Sequence, residues 1–503
     1  MNVKKIIGLQ FACLVIFVSS KTLADAREIS LKSDGVTALT VLIESVTVLS
    51  PELNEPLLNQ NVLIKDGMIV SISTAQEPLD QAERDDVSIL DGRGLYLTPG
   101  LMDSHVHTGS LPGVQNSNAP ELTDAYYRQQ PKSYLYFGVT QIVDLGSRAN
   151  EIAMFKTQPL RPDIWYCGAA SVSGGYGNSL NDDEQIIYQH DRPQTGVETH
   201  SVASVLNTIA QRGADCLKIY IEDGFGDASH LPLYSAKTFE QIRESANKLG
   251  LKVFAHANAY DMQQVALEHR VDVLAHGLWN WTGLPKQTHT NQYVDPEAVL
   301  MAHLQQIRQQ QVAYQATLSV MDRLSAMFEP NLLSEEVIRH VIPPALLVWY
   351  ASDEAQWFKH ELQADFAGMT DAEVRVRLNA IGKRGAFAAK ALFDLGHPLL
   401  LASDTPSAPA YSHQPGHGTY RELTLMAQAG ISLKAIFEAA TINNARLLKI
   451  EHQYGTVSES KVANLLLLRE NPLENIEAWN SIDTVILHGQ PFPRERFSAK
   501  PEE

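Results

Sequence analysis

The sequence predicts a (β/α)8 TIM-like barrel with a small β-sandwich domain built from both termini. Three observations carry this. Eight apolar, strand-like segments alternate with helical stretches through the middle of the chain, the pattern of a parallel sheet closed by crossovers. Short β-branched segments crowd both ends instead, with few helical stretches among them. The length, 503 residues, exceeds an average domain and suits one large barrel with an appendage.

The elements follow in order. Residues 1–26 have the three parts of a secretory signal: Lys4 and Lys5, the apolar run Ile6 to Val18, and an Ala24-Asp25-Ala26 cleavage site. The run is short for a membrane span, so cleavage and export are expected, with the periplasm as destination and no stable anchor left behind. The β domain is then expected from residues 27–98 and 450–503. Its strand candidates are 40–43, 44–49, 61–65 and 68–72 at one end, and 464–468 and 484–489 at the other. Asp66-Gly67 between two of them is a hairpin signal.

The barrel is expected over 99–449, with strands at 101–107, 140–145, 164–167, 216–220, 252–256, 271–276, 312–317 and 398–403. Helices are expected at 236–248 and 296–310. One connection, 318–397, is oversized and holds two or three helices, including 334–340 and 371–395; it reads as a lid or substrate wall.

Hydrophobic residues make up 44% of the chain and charged residues only 19%, which excludes a disordered protein. Asp and Glu number 58 against 40 Lys and Arg, and no basic run occurs, which argues against nucleic acid as a partner. Beyond the leader only Cys167 and Cys216 remain. Both sit in apolar strands; two buried free thiols are the favoured reading, and one disulfide stays open.

Chemistry enters at His105-Val106-His107. Alternate side chains of a strand share a face, so the two imidazoles project together and make half of a metal site. In barrels of this kind the catalytic groups lie at the C-terminal ends of the strands. Those ends carry His105 and His107 on the first strand, Lys218 on the fourth, His256 on the fifth, His276 on the sixth and Asp404 just past the eighth. Each alone has a plain structural role available: a hydrogen-bonded core histidine, a snorkelling lysine, a capping aspartate. Six at such positions in one chain are harder to satisfy separately, because each buried polar group needs its own partner.

The chain resembles the amidohydrolase superfamily, nearest its imidazolonepropionase-like and Xaa-Pro (or Xaa-Arg) dipeptidase-like members. The resemblance rests on LTPGLMDSHVH at 97–107, GADCLKIY at 213–220, VFAHA at 253–257, LAHG at 274–277 and LASDT at 401–405. GTYREL at 418–423, AIFEAATINNARLL at 435–448 and the closing NPLENI and VILHGQP extend it over almost everything after the leader.

It implies two divalent metal ions, expected to be zinc, bridged by a carboxylated Lys218 and a hydroxide. His105, His107 and Asp404 would hold one metal and His256 with His276 the other, with Asp404 as the catalytic proton shuttle. Two departures bear on substrate. Tyr176 stands where similar sequences carry histidine, and Glu222-Asp223-Gly224 replaces a Gly-Gly pair after the fourth strand. Tyr176, Tyr220 and His417 are the candidate substrate contacts. His413 and His417 also read as exposed loop histidines, and Trp279 and Trp281 as pocket floor or rim.

The expected activity is hydrolysis of an amide, in a dipeptide (prolidase-like) or a cyclic amide. A lactonase or phosphoesterase on the same metals is the alternative, or a silent binding protein of the same fold. The expected partner is a dipeptide or other small molecule; homo-oligomerisation stays open.

Overall fold

A computed structural model describes residues 40–75, 87–114, 120–178, 181–189, 199–225, 228–284, 296–366, 368–407 and 409–500. The expected leader lies outside them. Leu39–Glu503 form one compact unit.

The β domain is built on one eight-stranded sheet. Its first strands are β1 (Thr40–Val48), β2 (Leu57–Lys65), β3 (Met68–Thr74), β4 (Val87–Asp91) and β5 (Tyr96–Pro99). Asp66 and Gly67, at φ 52° and 76°, make the tight turn between β2 and β3; such a turn needs left-handed backbone, which Asp tolerates and Gly adopts freely. The chain returns at its far end through β17 (Leu465–Leu468), β18 (Ile482–Leu487) and β19 (Gln490–Pro493). β17 lies antiparallel to β5, which joins the two ends of the described chain in one sheet. The four consecutive leucines of β17 are buried on both faces. Leu465 and Leu467 pack with Val41, Val62 and Ile64 of the sheet's own core, while Leu466 and Leu468 belong to the main core.

The barrel takes β6 (Leu101–Val106), β7 (Val139–Asp144) and β8 (Asp163–Val172), with the short β9 (Ile186–Ile187) beside β8. β10 (Cys216–Tyr220) follows, then a small hairpin of β11 (Gly224–Phe225) and β12 (Ala228–Ser229). β13 (Lys252–His256), β14 (Val273–Leu274), β15 (Ala313–Gln315) and β16 (Leu399–Leu400) complete the eight staves, all parallel. The ring closes between the first and last. Ser104 N donates to Leu401 O (3.0 Å), Asp404 N to His105 O (2.8 Å) and His107 N to Thr405 O (2.8 Å). The sixth to eighth strands are shorter than the sequence suggests, because their ladders stop before the chain flares into the loops at the mouth.

Cys167 and Cys216 are register partners on β8 and β10, and they form a disulfide, so the favoured reading of two free thiols is corrected. Residues 318–397 hold more than the two or three helices expected. α-Helices cover Leu318–Ala326, Pro344–Tyr350, Trp357–Ala364 and Asp371–Asp394, with 3-10 turns among them. Ser334–His340 is not a continuous helix but two 3-10 turns, Leu332–Ser334 and Glu336–His340. The 24-residue helix Asp371–Asp394 packs chiefly on Leu318–Ala326 and also on the barrel helix Pro296–Gln310. Among the described residues no helix is long and apolar enough to cross a membrane.

Candidate active site

The mouth of the barrel is organised by β6. Its pairing with β7 shifts register between Asp103 and Val106. Met102 packs with Val143, Cys216 and Phe254 inside the barrel, whereas Val106 packs with Leu101 and Ile142 in the main core. The shift lets His105 and His107 face inward although strict alternation from Met102 would turn them out. Their Nε2 atoms each lie 2.9 Å from the same oxygen, Asp404 Oδ1. Asp404 reaches between them from a left-handed backbone (φ 64°), a conformation costly for most residues and tolerated by aspartate. Thr317, at the end of the seventh stave, is held at φ 43°, which is a stronger strain for a β-branched residue.

A buried carboxylate the sequence reading did not single out fixes this geometry. Asp103 accepts hydrogen bonds from Ser403 Oγ (2.5 Å), Thr419 Oγ1 (2.7 Å), Ser403 N (3.0 Å) and His105 N (3.1 Å). It thus ties the histidine strand to the segment that carries Asp404. Asp144 does the same for the next loops, accepting from Thr108, Gly146 and Ser147.

Lys218 and His256 come from neighbouring inward positions. Lys218 is paired in register with Phe254 and Ala169, and Tyr220 with His256; the small Ala169 leaves room for the lysine. Lys218 is 1% exposed, with no hydrogen bond or ion pair among the described residues. Burial pushes its ammonium down to about 7, opposed by the Asp404 charge. The rings of His256 and His276 are 4.4 Å apart, and His276 is 5.0 Å from His105. Burial first, and the lysine charge next, bring His105 and His256 down to about 3; burial also puts His276 well below its usual value. All three are therefore neutral imidazoles at ordinary pH, the form that binds metal. Burial would raise Asp404, but the Nε2 contacts of His105 and His107 outweigh that and hold its carboxyl well below the usual range.

Gly277 lets the sixth and seventh staves approach: a Cβ there would sit 2.3 Å from the Ala316 carbonyl oxygen. Trp279 is buried, 5.4 Å from His276. The Tyr176 ring is 4.7 Å from His256 and 5.8 Å from Tyr220. Burial and the charges of Asp404 and Glu222 raise its hydroxyl to about 12, so it remains a donor.

His413 and His417 are buried, not the exposed loop histidines the sequence suggested, because the loop folds under the helix His417–Gln428. His413 feels the charges of Asp404 and His107, whereas His417 lies among Arg323, Arg421 and Asp322. Trp281 is partly buried against the main core and lies under Arg384. His303 bonds to Gln263 and Gln264, away from the cluster.

Two further buried carboxylates stand out. Burial first, and the Asp223 charge second, push Glu222 up to about 8; burial does the same for Glu422. The sequence offers no signal for these beyond Glu222 following the Lys218 strand, since a lone Glu reads as surface.

Residues 345–491 match the amidohydrolase family. The resemblance to the amidohydrolase superfamily holds. The fold agrees over nearly the whole length. A Xaa-Pro dipeptidase with methionine bound in its active site superposes with a TM-score of 0.63 at 18% identity, covering 90% of this chain and 100% of that one. A putative prolidase from Bifidobacterium longum gives 0.62 at 20% identity, covering 90% and 94%. Ochratoxinase from A. niger gives 0.63 at 19%, covering 91% and 96%. No curated protein matches the chain by sequence. The family match supports a hydrolase.

Amidohydrolases typically use metal ions, and the residues here fit one. One ligand atom from each of His105, His107 and Asp404 lies within 4.8 Å of the others. The Nδ1 atoms of His105 and His276 are buried without a hydrogen-bond partner among the described residues. A buried imidazole left unpaired on the protein side is costly unless an ion supplies the missing contact. His256 and His276 adjoin this trio but fall outside its tight cluster.

Proposed function

We propose that the protein is an exported, metal-dependent amidohydrolase that cleaves the amide bond of a dipeptide, with a cyclic amide as the nearest variant. The observation that carries it is the convergence of His105, His107 and Asp404 at the barrel mouth, with the buried Lys218 beside them. The likeness to a Xaa-Pro dipeptidase and a putative prolidase supports the dipeptide.

In this reading His105, His107 and Asp404 would hold one divalent ion, and His256 and His276 a second, with Lys218 as a further ligand. Bound there, the ions, zinc by expectation, supply Lewis acidity that lowers the pKa of water and polarises the scissile carbonyl. The low pKa of Lys218 leaves much of its amine neutral at pH 7. A neutral amine can add carbon dioxide and release a proton, which turns a badly placed buried cation into an anionic ligand. Asp404 accepts the proton of the attacking water on its carboxylate and returns it to the leaving amine. Tyr176 donates its hydroxyl to the carbonyl oxygen as negative charge builds there, and Tyr220 packs against the substrate beside it. His417, beside the buried Arg323 and the half-buried Arg421, belongs with the outer wall of the site.

Export rests on the leader-like residues 1–26 and agrees with the Cys167–Cys216 disulfide, since such bonds persist in oxidising compartments. The test is a screen of purified, zinc-loaded protein against a dipeptide library, with cyclic amides, lactones and phosphoesters in parallel. Turnover of dipeptides or cyclic amides is expected. Turnover confined to esters overturns the amide assignment, and inactivity throughout favours a silent binding protein.

A further inference from the structure

The helix Pro344–Tyr350, inside the 318–397 connection, ends on the two loops that leave the first and last staves. Those loops run on from His107 and from Asp404. At their roots His107 N donates to Thr405 O (2.8 Å), and further out Gly113 N donates to Pro409 O (2.8 Å). Tyr350 is fully buried and closes the outer contact. Its hydroxyl donates to Pro112 O (3.0 Å), and its ring stacks on Tyr411 at 5.4 Å and 20°. Gln356 completes the circuit. Its Nε2 donates to Tyr350 O (2.7 Å), and its Oε1 accepts from the Tyr411 hydroxyl (2.9 Å). The fit against Gly113 is close: a Cβ there would sit 2.9 Å from Tyr350 Cε1 and 3.3 Å from Tyr411 Cβ. The Gly113 backbone is also left-handed (φ 68°), which favours glycine. A lid that opens and shuts is held by few, solvated contacts, whereas these are buried and paired.

We propose that Tyr350 is a positioning residue for the ion held by His105, His107 and Asp404, and that this part of the connection is a fixed clamp, not a moving lid. This rests on the metal-binding reading above and deepens it. His107 stands just past the end of β6, and Asp404 lies four residues past the end of β16. Loop backbone therefore helps to set their separation. The His107 side chain is 25% exposed, the most open of the three. Both histidines meet one carboxylate oxygen, so a small drift of one loop against the other unmakes the trio. Loop segments drift unless something ties them. Gly113 is six residues beyond His107, and Pro409 five beyond Asp404. The bond between them ties the loops away from the strands, and Tyr350 with Tyr411 packs against it. His256 and His276 stand on the fifth and sixth staves, and none of these contacts involves them. The clamp therefore acts on one of the two ions.

The experiment uses the full mature chain, zinc-loaded and metal-free, with Tyr350→Phe, which removes one hydroxyl and keeps the ring stack. Gly113→Ala reaches the same contact from the other side, by wedging a methyl against the Tyr350 ring. Tyr166→Phe is the control, since it loses a hydroxyl bond to Arg212 O at the other end of the barrel. Zinc per chain is read against a graded chelator, amide exchange over a peptide covering 107–114 in the metal-free protein, and Tm for each variant. In Tyr350→Phe one of two ions should be held about 3- to 10-fold more weakly, the worth of one neutral hydrogen bond. In Gly113→Ala the factor should be about 10- to 100-fold, the range for groups that orient metal ligands. The Gly113 amide should exchange faster in both, while Tyr166→Phe matches the wild type in exchange and zinc, whatever its Tm. Two ions weakened alike with a lowered Tm would mean a merely structural role and overturn the proposal. So would faster exchange with unchanged zinc retention, or no change in either. If the wild type takes up no zinc the metal-binding reading fails, and exchange then decides the clamp alone: a faster Gly113 amide in Tyr350→Phe supports it, and an unchanged one refutes it.

Discussion

Asp404 concentrates the chemistry at the scale of single residues. One oxygen meets two histidine nitrogens at 2.9 Å each, from a backbone conformation that few residues hold. Asp404→Asn keeps the shape but not the base. It should retain at least one metal ion while turnover falls about 10³-fold; near-normal turnover would remove Asp404 from proton transfer. Glu422 makes a different point. One oxygen accepts from Ser319 N at 2.6 Å and the other has no partner among the described residues. Burial raises its folded pKa to about 8, above the unfolded value. A carboxyl raised in this way is neutral and cheap at low pH, and destabilises the fold progressively as pH rises toward its folded pKa. Glu422→Gln should therefore gain stability relative to wild type by roughly 2 kcal/mol between pH 6 and pH 9, read from denaturant unfolding at each pH. A pH-independent difference would show that Glu422 is ionised throughout. The histidines, Lys218 and Asp404 were legible because such side chains are conspicuous on apolar strands. Asp103, Glu222 and Glu422 were not, because a carboxylate reads as solvated until the fold buries it.

At the scale of elements, the eight staves were legible as apolar runs, but their ends were not. The inward turn of His105 and His107 depends on a register shift in β6 that has no residue signature, and alternation from Met102 alone would have pointed them out. The leucine run of β17 shows the converse: it was readable as a strand, while its place between two cores appears only when the termini pair. The connection 318–397 reads as one insertion, but its last helix also packs on the barrel helix Pro296–Gln310, a tie that length alone does not reveal. Close packing of the staves is testable at Gly277. With a Cβ 2.3 Å from a backbone oxygen, Gly277→Ala must push the sixth and seventh staves apart. A loss of about 3 kcal/mol is expected, seen as a lowered Tm with weakened metal retention through His276. An unchanged Tm would mean that the staves yield freely there.

For the whole molecule, the closed barrel, the sheet that joins both ends and the disulfide act together. The Cys167–Cys216 bond spans 49 residues, and on chain-entropy grounds it is worth about 4 kcal/mol. Mature protein denatured without reductant should show no free thiol, and two after reduction; two before reduction would argue against both the bond and an oxidising compartment. The sequence favours two free thiols instead, because two cysteines on separate strands become neighbours only through the barrel's register. On the proposed function the barrel mouth is a two-metal hydrolytic centre built around Lys218, and elemental analysis of the purified chain is the decisive measurement. Two divalent ions per chain are expected in the wild type, falling to one or none in Lys218→Ala together with the loss of hydrolysis. Two ions retained in Lys218→Ala, or none in the wild type after loading with zinc, would contradict it.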